Sequence, residues 1–282
     1  MLNNSKIYRT LIKQEMKLVG YYSLRQLSGY SGSAIRVRRN SDNTEQDIGF
    51  SSGVLDTASL SSFVGAGDGF VTAWYEQTGF GNDLKNSGAT SQPQIVFSGT
   101  IQNSGGFTCI YFDGVDDRLV ENNFIPPFKD FTTKGRFSVF SIFEPTVIDS
   151  RKHVYIQADR AAPRFSQIGR ISSGKAEMIS FDTSGGSYTD NDTTSLSINT
   201  KYLTSSIRRV SDIEIYTNGV SDGPYPTSGE PRRKSIQLEV GCRLFPTEAF
   251  EGNLFEFALY NLDADNTTRQ DIENEMITYY GI

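Results

Sequence analysis

Histidine is almost missing from this chain, with one in 282 residues, and its scarcity removes whole classes of chemistry. A histidine-based zinc centre or a serine–histidine–acid triad has only His153 to draw on, and Arg151-Lys152-His153 reads as a turn. Cysteine is nearly as scarce. Cys109 and Cys242 fall inside the strand-like segments FTCIYF and LEVGCRL, so they read as small buried hydrophobes of a chain folded in a reducing compartment. No apolar run approaches the roughly 20 residues of a membrane span. The opening MLNNSKIYRTLIKQEMKLVG is broken up by Lys6, Arg9, Lys13, Glu15 and Lys17, so no secretory signal is read there. A formal charge of -6 leaves no broad cationic field for nucleic acid, and at strand spacing Arg36 and Arg38 share a face from which Arg39 points away.

What the chain does have is glycine, at 26 residues, and aromatic side chains, at 12%, which suit a globular protein with many tight turns. Ile7, Leu11, Ile12, Met16 and Val19 recur at helical spacing and predict a short amphipathic arm over 1–20. Beyond it, Asp56 caps a helix carrying Leu60, Phe63 and Val64, and Gly65-Ala66-Gly67-Asp68-Gly69 ends it as a turn, without the spacing of a dinucleotide loop. A long series of short strand candidates runs from Gln94–Phe97 to Asn253–Tyr260, with Lys201–Arg208 and Asp212–Thr217 among them. No helical pattern of βαβ length separates them, so one all-β sandwich over 21–282 is expected. A single helix closes it, capped by Asp265 or Thr267, with Ile272, Met276, Tyr279 and Tyr280 on one face.

Several segments carry a resemblance. YFDGVDD at 111–117, then FSVFSIFEP, DIEIYTNG and FEGNLFEFALYN follow the order seen in laminin-G-like jelly rolls, which implies a concanavalin A-like jelly-roll sandwich. The earlier stretch, with YSLRQLSGYSGSAIRVRRNSDNTEQDIGF, GAGDGFVTAWYEQTGFGNDL and QPQIV, is similar to the N-terminal half of the catalytic domain of fungal α-L-arabinofuranosidase B, and to modules of bacteriophage tail and virion-surface proteins. The arabinofuranosidase resemblance implies an acid/base aspartate in the strand equivalent to LEVGCRLF, where this chain has Arg243. Arginine stays charged and delivers no proton at neutral pH. The adjacent cysteine pair of that enzyme is missing too, and its nucleophilic glutamate has a loose counterpart in Glu177. The carboxylate strand of sandwich glucanases is absent. In Asp212-Ile213-Glu214 the two carboxylates read as an outward polar face beside inward Ile213 and Ile215.

The expectation from sequence is therefore a non-enzymatic structural and binding module of a virion, on a bacteriophage tail or head surface. It would be docked on other virion proteins through its arm, as a homo-oligomer or otherwise, and able to touch host-surface glycan. Loop aromatics and polar groups are its carbohydrate candidates: Tyr188, Asp190, Asp192, Tyr225 and Arg243, whereas Trp74 reads as core. Asp113, Asp116 and Asp117 are the candidates for calcium, with a hydrogen-bonded turn as the simpler reading, and no other cofactor is expected. A glycosidase related to arabinofuranosidase is the second reading, and a ligand-free architectural subunit the third.

Overall fold

A computed structural model describes residues 16–122, 136–159, 164–182, 184, 186–228, 237–241 and 246–282. The fold is nearly all β, and every ladder between its strands is antiparallel. One sheet runs Tyr225–Pro226, Asp212–Thr217, Tyr202–Arg208, Phe137–Pro145 and Glu251–Tyr260, whose far side pairs with both Leu18–Ser23 and Ile110–Asp113. The facing sheet runs Leu84–Lys85, Leu119–Glu121, Gln237–Val240, Lys152–Asp159, Arg164–Ser172, Lys175–Phe181 and Ser187–Ser195. Gln94–Phe97 and Gly69–Trp74 carry the hydrogen bonding from one sheet to the other, with Ile35–Arg39 and Glu45–Ile48 paired onto them. The jelly-roll sandwich expected from sequence is thus found, closed along one side and barrel-like there.

Alternation decides which residues meet. Val139, Phe143, Leu254 and Phe257 from the first sheet share the central core with Tyr155, Met178, Leu238 and Val240 from the second. Trp74 is in that core, edge-on to Tyr22. The first sheet is buried on both faces. Its outer side chains, among them Phe140, Ile142, Leu203 and Phe255, lie under Ile272, Met276 and Tyr280 of the C-terminal helix Asn266–Tyr280, which Asp265 caps by accepting a hydrogen bond from the Thr268 amide. Two-sided burial explains why FSVFSIFEP carries apolar side chains on both faces, Val139 and Phe143 inward and Phe140 and Ile142 outward, and each such side chain contributes about 2 kcal/mol.

Three expectations change. The helical stripe ascribed to the N-terminal arm ends in a strand, because Leu18–Ser23 hydrogen-bonds to Glu251–Tyr260 and buries Val19 in the central core; Ile7, Leu11 and Ile12 lie outside the described residues. The turn read at Arg151-Lys152-His153 is not found: His153 lies in the strand Lys152–Asp159, in line with the strand candidate His153–Ala158. Ser187–Ser195, read as a loop, is a strand at the edge of the second sheet. Cys109 is an unpaired buried thiol, as expected, pushed up to about 12 chiefly by burial, and Cys242 lies outside the described residues.

Gly241, at the end of Gln237–Val240, holds φ at 89°, and a methyl there would meet the Phe112 ring at 2.4 Å and the Asp117 carbonyl oxygen at 2.6 Å. Gly241→Ala is expected to destabilise the fold by roughly 3 kcal/mol, from backbone strain and overpacking together. Urea unfolding measures it, and a loss below ~1 kcal/mol would mean that this corner is more plastic than its packing suggests.

Candidate active site

The second sheet has an outer face on which Ile156, Ile168 and Ile179 sit side by side, in register across three strands. Two residues along Arg164–Ser172 and Lys175–Phe181, and three along Lys152–Asp159, where the register shifts between His153 and Tyr155, the same face carries the neighbouring row. There Arg170 is paired with Glu177 on one side and with His153 on the other. Arg170 Nε lies 2.5 Å from Glu177 Oε2, and both side chains are nearly buried. Beyond His153, the 3-10 turn Pro246–Glu248 brings a second carboxylate into the row, with Glu248 Oε2 3.3 Å from His153 Nε2. Arg151 approaches the same carboxylate at 3.8 Å. The row therefore reads Glu177, Arg170, His153, Glu248, with two strand spacings, about 10 Å, between the Glu177 and His153 backbones. Glu239, buried and in register with Ile156, is on the same face one row away.

His153 is the electrostatic hinge of this row. Burial first, then the Arg170 and Arg151 cations, hold its pKa down to about 4, so at neutral pH the imidazole is uncharged. The unfolded chain takes up a proton near pH 6.5, which the folded chain refuses until about pH 4. The stability due to this group is therefore complete above pH 6.5 and lost as the pH falls toward 4, up to about 3 kcal/mol. Asp117 and Asp190, raised to about 7 and about 6 chiefly by burial, act with the opposite sign in an overlapping window, so the comparison must be with a variant. Relative to His153→Gln, the natural protein is expected to lose about 2–3 kcal/mol between pH 7.5 and 4.5 in urea unfolding. Equal losses in the two proteins would place His153 in a more solvated setting than its burial implies.

The other residues singled out in the sequence do not converge. Tyr188 packs partly against the central core, its hydroxyl 3.1 Å from both Asp182 Oδ2 and Ser228 Oγ. Asp190 points between the sheets, where its Oδ2 accepts from the Ile215 amide across the sandwich at 2.9 Å. Asp192 is buried on the same side, accepting from the Thr194 amide. Tyr225 is exposed, beside Ile213 at the margin of the first sheet. Arg243 lies outside the described residues. Asp113, Asp116 and Asp117 do cluster, with one ligand atom from each within 4.8 Å of the others. Their hydrogen bonds are those of a turn: Asp113 Oδ1 accepts from the Val115 amide and Asp117 Oδ2 from the Asp113 amide. Asp212 and Glu214 are held by Arg209, with Ile213 and Ile215 inward as the alternation required.

Residues 19–105 match the family model described as α-L-arabinofuranosidase B, catalytic, which is less than half of the chain. No curated protein matches. Among solved structures, a mutant GH54 α-L-arabinofuranosidase soaked with 4-nitrophenyl α-L-arabinofuranoside superposes with a TM-score of 0.67 at 15% identity, over 98% of this chain and 65% of that one. An arabinofuranosidase complexed with arabinofuranosyl-α-1,2-xylobiose gives 0.63 at 13% identity, with the same coverages of 98% and 65%. A Trypanosoma rangeli sialidase in complex with sialic acid gives 0.52 at 10% identity, over 72% of this chain and 31% of that one. At such identities the likeness is one of fold, and the chain spans about 65% of the length of the arabinofuranosidase chains. These findings overturn the expectation of a non-enzymatic virion or bacteriophage module. Residues 19–105 match the model of a catalytic domain, and nearly the whole chain superposes on arabinofuranosidase structures. The physical reason lies in the carboxylates: sequence position sets Arg243 where the resemblance implies an acid, whereas the fold delivers a different carboxylate, Glu248, five residues later, to the row that holds Glu177.

Proposed function

We propose that the chain is a glycoside hydrolase acting on α-L-arabinofuranosides, with its reaction centre at the Glu177 row. The observation that carries this reading is two glutamates at opposite ends of one nearly buried row, on a sandwich that superposes on arabinofuranosidases along almost its entire length. Glycoside hydrolysis needs one carboxyl group to attack, or to activate water, at the anomeric carbon and another to protonate the departing oxygen. Glu177 takes the first role, since its ion pair with Arg170 holds the carboxylate in one orientation on the face of the sheet. Glu248 takes the second role. It stands next to the neutral His153 in a half-buried position, and it replaces the aspartate whose expected position holds Arg243. His153 and Arg170 keep the two groups apart and oriented.

The test is direct. The purified protein is incubated with 4-nitrophenyl α-L-arabinofuranoside and, in parallel, with the α-D-xylopyranoside and β-D-galactopyranoside analogues. Release of nitrophenolate from the arabinofuranoside alone is expected. No turnover of any of the three, by a protein that unfolds cooperatively, would overturn the reading.

A further inference from the structure

A cavity of about 620 Å³ opens on the opposite side of the molecule from the Glu177 row. Alternation along Asp212–Thr217 fixes its position: Ile213 and Ile215 enter the central core, so Glu214 and Tyr216 face away from it, toward the side covered by the C-terminal helix. Two ion pairs line it. Arg136 Nε lies 3.2 Å from Asp263 Oδ1, and Arg209 Nη1 lies 2.8 Å from Glu214 Oε2 and 2.7 Å from Asp212 Oδ1. Ser221 Oγ donates to Glu214 Oε1 at 2.6 Å, so this carboxylate is fixed at both oxygens. Pro224 and Leu262 add apolar wall.

The chemistry of the lining narrows the ligand. The two arginines are outnumbered by the carboxylates of Glu214, Asp263 and Asp265 in the lining, so a phosphate or another anion would be held against net negative charge. A purely apolar ligand would strip water from five charged side chains, Arg136, Arg209, Glu214, Asp263 and Asp265, and return no hydrogen bond. A neutral polyhydroxylated ligand does neither, because each hydroxyl can accept from a guanidinium N–H while donating to the neighbouring carboxylate. The volume falls within the range of ligand-sized clefts. We propose that this cavity is a second, non-catalytic saccharide site that holds one or two neutral sugar units while the Glu177 row works on another part of the glycan.

The choice of sugar rests on the reading of the chain as an arabinofuranosidase; the existence of the site does not. The Glu177→Gln protein, which would bind without cleaving, is titrated with arabinofuranosyl-α-1,2-xylobiose by calorimetry, alone and with either Arg136→Met or Leu262→Trp added. The first change removes one ion pair, and the second fills the cavity from an apolar wall without touching either pair. Two sites per chain are expected for Glu177→Gln alone, and one after either addition. Arg136→Met and Leu262→Trp placed in the natural protein are expected to leave nitrophenyl arabinofuranoside hydrolysis within twofold. If hydrolysis fails altogether, a single binding event abolished by Leu262→Trp still supports the cavity and places the failure with the catalytic reading. Binding unchanged by both additions, or no binding while the chain hydrolyses the nitrophenyl substrate, would overturn the cavity proposal.

Discussion

Glu177→Gln is expected to lower hydrolysis of an α-L-arabinofuranoside by about 10³-fold or more, with little change in thermal unfolding. Glutamine keeps an oxygen within reach of Arg170, so the geometry of the row survives while the attacking negative charge is gone. Glu248→Gln should behave differently, because 4-nitrophenolate leaves readily without a proton whereas a sugar alkoxide does not. Its defect is expected to be small on the nitrophenyl substrate and roughly 10²-fold or more on an arabinose-bearing oligosaccharide. That split separates the two carboxylates by role, which a general loss of folding would not do. Equal losses on both substrates would remove Glu248 from the acid's position, and full activity in Glu177→Gln would remove the whole row from catalysis.

The strands were legible where one face or both is apolar. Asp212–Thr217 and Gln94–Phe97 end at the expected residues, and Lys175–Phe181 and Tyr202–Arg208 within one, because apolar side chains mark a buried face: Ile213 and Ile215 on the inward side of the first of these, and Leu203 and Ile207 on the helix-covered side of the last. Ser187–Ser195 escaped for the converse reason. Its inward side chains include Asp190 and Asp192, so the period-2 signal has no hydrophobic amplitude and the segment looks like a polar loop. The site was legible only in part. Glu177 was no more than a loose counterpart of the nucleophile in the arabinofuranosidase resemblance, because its ion-pair partner sits in a different strand and only the ladder Arg170↔Glu177 reveals the pairing. The solitary His153 carried a clue in Val154, Tyr155 and Ile156, the β-prone run that follows it, but an adjacent Arg151-Lys152 suggested solvent. Glu248 had no local signal at all. It is brought to the row by a single 3-10 turn, and long-range placement of that kind is not encoded in any periodicity.

The second large effect concerns the attachment of the C-terminal helix, which depends on one buried cation. Arg25 Nε and Nη2 donate to the two oxygens of Glu256 at 2.6 and 2.7 Å, and Nη1 and Nη2 reach Glu275 on the helix at 2.5 and 2.9 Å. Ser23 Oγ and Tyr280 Oη both donate to Glu256 Oε2 at 3.0 Å, and the guanidinium lies 4.5 Å from the Tyr279 ring centroid. Glu256 is fully buried and Arg25 nearly so, hence removal of one partner strands the other's charge away from water. Glu256→Ala is expected to cost about 3–5 kcal/mol, enough to unfold a marginally stable domain, whereas Glu275→Ala, with a partly exposed side chain, should cost about 1 kcal/mol. Arg25→Met with Glu256→Met should recover much of the loss, because the only charge left without its partner is the partly exposed Glu275, and a double-mutant cycle in urea isolates that coupling. If Glu256→Ala and Glu275→Ala were equally mild, the network would be solvated and the helix held by Ile272, Met276 and Tyr280 alone. Additive losses in the Arg25/Glu256 cycle would show that the two side chains stabilise the fold without acting on one another.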